Sequence, residues 1–336
     1  MGELIRIKPQ EWRVLKAIPE ALSIKCITEK TGLPEYTVSR QLERLRQKFK
    51  ISFQPAYRKM KLIPLAVIIH PVSDNPPPFT VADRHLFGPT GEYELITAIP
   101  PERDVDTYLS LLPGNPLYII TGYEQIFWRP DKAELTLYVE KEKTIIPKLA
   151  RVKERVKVWS EKKIDVKPVP SEKIDELDLL IIKEKQKYAF EKLRKISRHT
   201  GISHQLLSYH FRKHVIKLWA GNRIGVFLNA KLVPFRIYVL EGDFAPAVAR
   251  TLVELPYFHS SLIDENRAIV LAQPLCSLQP RLYKLFREFN VRLPFGELIM
   301  ELRLEKTIPD YTQFFQDGKW IIPVEEYLRT RRRDRR

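Results

Sequence analysis

Two polar segments of the sequence carry side chains that could hydrogen-bond to the edges of nucleic-acid bases. Hydroxyl and amide groups can read base edges, and arginine binds guanine or phosphate. The side chains concerned are Tyr36, Thr37, Ser39, Arg40, Gln41 and Arg44 in the first segment and Ser203, His204, Gln205, Ser208, Tyr209 and Arg212 in the second. Arg58 and Lys59 follow the first segment and could contact backbone phosphates. The alternative interpretation is that both segments are the solvated faces of small helical bundles.

Other chemistry finds less support in the sequence. His210 and His214 stand four residues apart and could share a metal ion, but no Cys, Asp or Glu close to them in the sequence completes a site. We therefore expect these histidines to face phosphate or to pack. The chain has no Gly-x-Gly pair, no Gly-x-Ser-x-Gly, no His-Glu-x-x-His and no Cys-x-x-Cys. The sequence predicts no catalytic residue, no metal and no cofactor, and hence a protein that is not an enzyme.

The composition favours a polyanionic partner. The 336 residues include 57 Lys and Arg against 41 Asp and Glu, a surplus of 57 − 41 = 16 positive charges. Apolar runs such as residues 62–69 are far shorter than the ~20 residues that a spanning helix needs, so no membrane partner is expected. The N-terminus lacks the apolar stretch of a signal peptide, which predicts a cytoplasmic protein. Cys26 and Cys276 are too few for a disulfide framework and are expected to be plain core thiols.

The chain resembles itself at a nearly constant offset. Residues 31–39 align with residues 200–208 at an offset of 169, and residues 61–64 align with residues 231–234 at an offset of 170. A third match follows, in which residues 95–100 align with residues 269–274 at an offset of 174. We interpret the matches as a tandem duplication with a seam near residue 170.

Each repeat opens with three short helices. In the first repeat the second helix ends at Gly32, and Val38, Leu42 and Leu45 line one face of the third. In the second repeat the second helix ends at Gly201, and Ser203 is a suitable N-cap for the third. Two helices joined by a glycine-containing turn predict a helix-turn-helix. Residues 50–53 predict a strand that would form a wing.

Each repeat continues with strand-rich sequence. In the second repeat the order of strands and helices is βαββαβ, which predicts a ferredoxin-like sandwich. In the first repeat the proline-rich residues 71–78 occupy much of the place of the first helix, so that helix is expected to be short or absent. The predicted fold class is α+β, with two winged helix-turn-helix domains alternating with two ferredoxin-like βαββαβ domains. The predicted boundaries are 1–58 and 171–228 for the winged domains, 59–140 and 229–326 for the ferredoxin-like domains, 141–170 for a basic linker and 327–336 for a basic, disordered tail.

This combination resembles the leucine-responsive regulator (Lrp/AsnC) family of bacterial and archaeal transcription factors. Residues 31–45 are similar to the family's recognition stretch. Residues 91–95 are similar to the turn at which members sense amino acids, which implies effector-binding roles for Gly91, Tyr93 and Glu94. The resemblance also implies DNA binding and pairing of the ferredoxin-like domains. Members usually hold one copy of each domain, so this chain is expected to be a monomeric pseudo-dimer or a homodimer.

The sequence therefore predicts a sequence-specific, double-stranded DNA-binding transcription regulator that uses two recognition helices in one chain. Response to a small-molecule effector remains open. Because the two recognition faces differ, we expect an asymmetric DNA site, or one recognition helix that reads sequence and one that binds only the DNA backbone. The alternatives are an architectural DNA-binding protein that is indifferent to sequence, and an RNA-binding or transcription-machinery accessory factor.

Overall fold

The structure, a computed structural model, describes residues 4–71, 76–301 and 311–334. The α-helices in these ranges are α1 (Pro9–Ala17), α2 (Ile24–Thr31), α3 (Glu35–Lys48), α4 (Val105–Ser110), α5 (Val152–Ser160), α6 (Glu176–Lys187), α7 (Leu193–Thr200), α8 (His204–Lys213), α9 (Ala245–Val253), α10 (Gln279–Glu288) and α11 (Val324–Asp334). The strands are β1 (Phe49–Pro55), β2 (Leu65–Ile69), β3 (Thr80–Gly88), β4 (Gly91–Ala98), β5 (Tyr118–Thr121), β6 (Glu124–Phe127), β7 (Thr136–Val139), β8 (Thr144–Pro147), β9 (Trp219–Val226), β10 (Arg236–Glu241), β11 (Phe258–Ile263), β12 (Arg267–Ala272), β13 (Glu297–Met300), β14 (Phe315–Gln316) and β15 (Lys319–Trp320). No helix in the described ranges combines the length and the apolar character needed to cross a bilayer.

The two three-helix regions form where the sequence predicts them. Gly32 ends α2 in the left-handed conformation with φ 65°, and Gly201 ends α7 in the same way with φ 75°. The hydroxyl of Ser203 accepts a hydrogen bond from the amide of Leu206 and caps α8. On α3, the predicted inner face is buried among the first helices. Helix periodicity and capping therefore determine these regions locally.

Strands β1 and β9 pair with each other in an antiparallel two-stranded sheet, which we call the wing sheet. Phe49 lies opposite Val226, and Phe53 lies opposite Asn222. The sequence predicts β1 as a wing but gives no indication of its partner, which comes about 170 residues later. The wing sheet consequently joins the first helical region to the second.

A nine-stranded sheet forms the centre of the molecule. Its order is β5-β2-β4-β3-β13-β10-β12-β11-β6, and neighbouring strands run antiparallel. Two four-strand groups meet where Phe87 on β3 pairs with Ile299 on β13. Helices α5, α9 and α10 pack on the second group around a core that includes Val156, Val248 and Phe286. The α+β class is therefore confirmed.

The sheet curls until its two edges meet, because the edge strands β5 and β6 are separated by only Gly122 and Tyr123. A Cβ atom at Gly122 would lie 2.2 Å from Leu262 Cδ1 and 2.9 Å from the carbonyl oxygen of Pro64. The amide of Gly122 donates a 2.7 Å hydrogen bond to that carbonyl. Glycine is thus required for the close approach that turns the chain from one edge of the sheet to the other.

Residues 141–170, expected to be a basic linker, include β8 and α5 in the structure. Helix α5 buries Val152 and Val156, spaced four residues apart. The indole nitrogen of Trp159 donates a 2.7 Å hydrogen bond to Glu254. At the other end of the chain, α11 extends to Asp334 where a disordered tail is expected; residues 335–336 lie outside the described ranges. The many basic residues in this segment favoured the prediction of a linker, and the apolar spacing that forms α5 was missed.

Candidate functional site

A cavity of about 510 Å³ opens between the wing sheet, β6 and the segment that follows α5. We call it the wing cavity. Its apolar walls include Phe127, Trp159 and Val169, and its basic side chains are Arg58, Lys59, Arg129, Lys132, Arg223 and Arg250. A smaller cavity of about 190 Å³ lies between the wing sheet and the nine-stranded sheet. The two cavities share the lining residues Gln54, Tyr57, Pro64, Gln125, Phe127 and Arg223.

Arg223 on β9 lies between the two cavities. Its guanidinium carbon lies 4.7 Å from the ring centroid of Phe127 on β6, in the geometry of a cation–π contact. Burial and the nearby positive charge of Arg84 lower the pKa of Arg223 to about 10. Among the described residues, no carboxylate forms an ion pair with it. The wing cavity therefore contains a positive charge that no carboxylate in the described ranges neutralises.

Two more cations at the cavity are held by main-chain carbonyls. The guanidinium of Arg58 donates a 2.8 Å hydrogen bond to the carbonyl of Asp165, with the Glu102 carboxylate 4.0 Å away. The ammonium of Lys59 donates a 2.9 Å hydrogen bond to the carbonyl of Lys217. A carbonyl satisfies a donor but carries no net charge, so both positive charges contribute to the field in the cavity.

The remaining cations at the cavity are paired with carboxylates. Arg250 lies 2.6 Å from Glu124, and Arg129 lies 2.8 Å from Glu20. Burial opposes ionisation of Glu124, but the hydrogen bond and charge of Arg250 lower its pKa. The uncompensated charge is therefore concentrated at Lys59 and Arg223, since Glu102 partly offsets the charge of Arg58.

Polar side chains also line the wing cavity and hydrogen-bond to residues on neighbouring elements. The side-chain amide of Gln54 on β1 donates a 3.1 Å hydrogen bond to Gln125 on β6. The hydroxyl of Tyr57 accepts a 3.1 Å hydrogen bond from Gln186, and Tyr123 lies beneath the guanidinium of Arg58. Tyrosine hydroxyls can donate or accept a hydrogen bond, so Tyr57 and Tyr123 add polar groups to the basic lining of the cavity.

His259 is buried beside this site. Its ring packs against Phe227 and Phe235, and its Nε2 atom has no hydrogen-bond partner among the described residues. Burial and the charge of Arg223 lower the pKa of His259 to about 3, so its ring is neutral near pH 7. The neutral ring adds no further positive charge next to Arg223.

The residues predicted to contact DNA from α3 lie in mixed environments. Tyr36 is 77% exposed and Arg40 is exposed, whereas Thr37, Ser39 and Arg44 are half-buried. Gln41, predicted on the outer face, is 4% exposed, and its amide donates a 3.3 Å hydrogen bond to Gln10. The structure thus does not bring these six side chains together on one open face.

The residues predicted on α8 are more exposed. His204, Gln205, Tyr209 and Arg212 are exposed, and Ser208 is half-buried. The guanidinium of Arg212 donates a 3.2 Å hydrogen bond to the carbonyl of Ser208, and Ser203 caps the helix. Arg58 and Lys59 do not lie with either group, because they line the wing cavity.

The predicted effector residues do not line either cavity. Gly91 is exposed in the β3–β4 turn, with φ 147°, and Glu94 is half-buried on β4. Tyr93 is buried, its hydroxyl hydrogen-bonds to Thr90 at 2.8 Å, and its ring contacts Phe295 edge-on. This turn is therefore filled by the protein's own side chains.

Sequence reasoning missed Arg223 and Phe127, which come together only through the curled sheet. The available signal was a lone arginine beside apolar residues in the strand that ends at Val226. A charged side chain in such a strand indicates that an anionic partner or ligand lies nearby, because charged residues are seldom buried without one.

No protein-family model matches the chain, and no curated protein matches it. A solved structure that does match is a crystal structure of the siroheme decarboxylase NirDL in co-complex with an iron-uroporphyrin III analogue. The identity is 10%, the alignment covers 96% of this chain and 99% of that chain, and the TM-score is 0.49.

This comparison corrects the functional predictions. The comparison contradicts the prediction of an Lrp/AsnC-type regulator that binds double-stranded DNA and the prediction that the chain is not an enzyme, because the matched structure is that of an enzyme with a small molecule. The architectural and accessory-factor alternatives are not supported either. The physical reason is that one architecture can serve unrelated functions. Here, moreover, the two wing strands pair with each other, and Arg58 and Lys59 are held by main-chain carbonyls.

Proposed function

We propose that the wing cavity is the substrate site of this protein and that it takes a small molecule with a flat, apolar body and several carboxylates. The observation that carries the proposal is the guanidinium of Arg223, which faces the cavity over the ring of Phe127 and has no carboxylate partner in the described part of the chain. A half-buried cation for which the described residues supply no carboxylate is costly unless an anion completes it.

The shape and lining of the cavity support the same class of ligand. Its volume of about 510 Å³ lies within the range of roughly 300–1,000 Å³ that is usual for small-molecule sites. Phe127 and Trp159 supply aromatic surface for a flat ring system. Arg58, Lys59 and Arg223 supply charge at the edges of that surface, where carboxylates would project.

Within this proposal, the residues have separate roles. Arg223 binds a carboxylate of the substrate, and Phe127 fixes the plane of the guanidinium. Arg58 and Lys59 attract the anionic substrate from solvent through their net charge. Tyr57 and Tyr123 place hydroxyl groups at the cavity wall, where they can exchange a proton with the bound molecule.

Binding of iron-uroporphyrin, a flat tetrapyrrole with several carboxylates, tests the proposal. The purified full-length chain would be titrated with this probe and followed by the change in its visible absorption. We expect Arg223→Gln to raise the dissociation constant by about 10- to 100-fold, since a hydrogen bond to a charged group is worth about 1.5–3 kcal/mol. Mass spectrometry of the recovered probe would show whether the protein removes CO₂ from it.

Arg292→Gln is the matched control. Arg292 is an exposed arginine that pairs with Glu241 and lines neither cavity, so its loss changes net charge equally. If Arg223→Gln and Arg292→Gln bind the probe as tightly as the unaltered chain, the wing cavity is not the site.

We also propose that the chain consists of two repeated units, each a winged helix-turn-helix followed by a ferredoxin-like domain. The strand orders β5-β2-β4-β3 and β13-β10-β12-β11 support this division, since both place the fourth, first, third and second strands of a unit side by side. The boundaries proposed are 1–58, 59–140, 171–228 and 229–326, with 141–170 between the units and 327–336 as a C-terminal segment. A protease site inserted between residues 170 and 171 tests the division, because the cut halves should remain associated through the wing sheet.

A further inference from the structure

Four metal-ligating side chains meet in the second helical region, away from the wing cavity. Asp175 and Asp178 lie at the start of α6, His210 lies on α8, and His214 directly follows α8 as its C-cap. One ligand atom from each residue lies within 4.8 Å of all the others. None of the four lines the wing cavity or its smaller neighbour.

Local structure and tertiary packing both contribute to this cluster. The four-residue spacing places the two imidazoles on one face of the helix end, with ring centroids 5.1 Å apart. Asp175 and Asp178 form the capping box of α6, in which the amide of Asp178 donates a 2.9 Å hydrogen bond to Asp175. Packing of α6 against α8 supplies the carboxylates that are missing from the sequence around the histidines.

The distances between ligand atoms match those around a small tetrahedral cation. Nδ1 of His210 lies 2.9 Å from Oδ1 of Asp178 and 3.5 Å from Oδ2 of Asp175. Nδ1 of His214 lies 3.1 Å from Oδ2 of Asp178. Zinc bonds of about 2.0–2.1 Å in a tetrahedron place neighbouring ligands about 3.3 Å apart, within this spread.

We propose that Asp178, His210 and His214 bind one divalent transition-metal ion of the zinc class, with Asp175 as the fourth ligand. Two carboxylates and two neutral imidazoles would match a charge of +2, and imidazole together with carboxylate is a donor set that zinc accepts. The ion would fasten the start of α6 to the end of α8. This inference does not depend on the function proposed for the wing cavity.

The electrostatics of Asp178 agree with a bound cation. Its side chain is fully buried, and His210 is only 12% exposed. A fully buried carboxylate is costly to keep charged unless a cation or hydrogen-bond donors surround it. A cation between the carboxylate and the imidazoles would offset that cost. The competing interpretation is a metal-free network in which both imidazoles donate Nδ1 hydrogen bonds to Asp178.

Cobalt binding distinguishes the two interpretations. The full-length chain, free of any polyhistidine tag and treated with a chelator, would be titrated with Co²⁺, whose tetrahedral complexes absorb strongly in the visible range. We expect one equivalent to bind, the visible bands to disappear when Zn²⁺ is added, and Zn²⁺ to raise the unfolding temperature. His214→Gln should weaken binding on the order of 100-fold, since it removes a direct ligand from a partly exposed position.

His204→Gln is the control, because His204 lies on the same helix but is exposed at its other end. It should bind Co²⁺ as the unaltered chain does. The proposal is overturned if no tetrahedral bands develop, or if the bands persist undiminished in both His214→Gln and His210→Gln. Circular dichroism of each variant would establish that it has folded.

Discussion

Asn222 and Ile18 connect the two halves of the sequence through a buried hydrogen bond. The side-chain amide of Asn222 on β9 donates to the carbonyl of Ile18 at 2.9 Å and to the carbonyl of Ala21 at 2.6 Å. The same side chain accepts a 3.1 Å hydrogen bond from the indole of Trp219. One asparagine thus satisfies the carbonyls at the end of the first helix and its following turn, which lie about 200 residues earlier.

Replacement of Asn222 by Ala should lower the free energy of unfolding by about 1–3 kcal/mol, because the carbonyls of Ile18 and Ala21 each lose a hydrogen bond and the indole of Trp219 loses its acceptor. Urea denaturation at equilibrium measures the change. Gln205→Ala, at an exposed position on α8, should stay within about 0.5 kcal/mol of the unaltered chain. A loss for Asn222→Ala no larger than that of the control would contradict the assignment of these bonds.

His259 should make the protein less stable in mild acid. Its pKa in the folded chain is about 3, below the value of about 6.5 expected when unfolded, so the unfolded chain binds a proton first as the pH falls. The stability associated with the neutral ring is present above pH 6.5 and is lost as the pH falls toward 3. By this linkage the loss between pH 7 and pH 5 is about 2 kcal/mol.

The variant His259→Phe isolates this effect, since it fills the space between Phe227 and Phe235 and cannot be protonated. We expect the free energy of unfolding of the variant to fall less between pH 7 and pH 5 than that of the unaltered chain. Equal pH dependence of the two proteins would show that His259 is not held neutral by burial.

Arg58 should hold the segment after α5 against the body of the molecule. Its guanidinium donates hydrogen bonds to the carbonyls of Asp165, Val166 and Lys167. With Arg58→Ala we expect trypsin to cleave after Lys162 and Lys163 roughly tenfold faster, since charged hydrogen bonds worth at least about 1.5 kcal/mol are lost. Mass spectrometry of the first fragments measures the rate. Arg40→Ala, at an exposed position on α3, serves as control, and equal rates in the two variants would count against this role.

Gly122 should tolerate no side chain, because the edge strands of the curled sheet turn there. Gly122→Ala would place a methyl group within 2.2 Å of Leu262 and 2.9 Å of the carbonyl of Pro64. We expect the free energy of unfolding to fall by about 1–3 kcal/mol, measured by urea denaturation. The double variant with Leu262→Ala should show less than additive loss, because one of the two clashes is relieved. Strict additivity would mean that the strand ends do not meet as described.

Local sequence signals were sufficient for the helical regions. Val38, Leu42 and Leu45 are spaced for one helix face, and all three are buried. Gly32 and Gly201 mark helix ends because left-handed backbone is accessible to glycine. Such features depend on neighbours within one or two helical turns, so they can be read from a single sequence.

The site could not be predicted in this way, since it depends on partners distant in sequence. Arg223 and Phe127 are 96 residues apart and meet because β6 and β9 both border the wing cavity. Asp178 and His210 are 32 residues apart and meet through the packing of α6 on α8. Periodicity carries no information about such pairs. Only the folded chain shows which groups lie beside the charges of Arg223 and Asp178.

The pairing of β1 with β9 has a consequence for synthesis of the chain. When the ribosome has produced the first 200 residues, β1 has no strand beside it, because the residues that pair with Phe49 to Pro55 come at positions 219–226. Until then its main-chain amides and carbonyls form an unprotected edge, which is a site for pairing with other nascent chains. Contacts so distant in sequence also slow folding. Strand β1 must therefore wait for β9, and slower elongation after residue 226 would favour the correct partner.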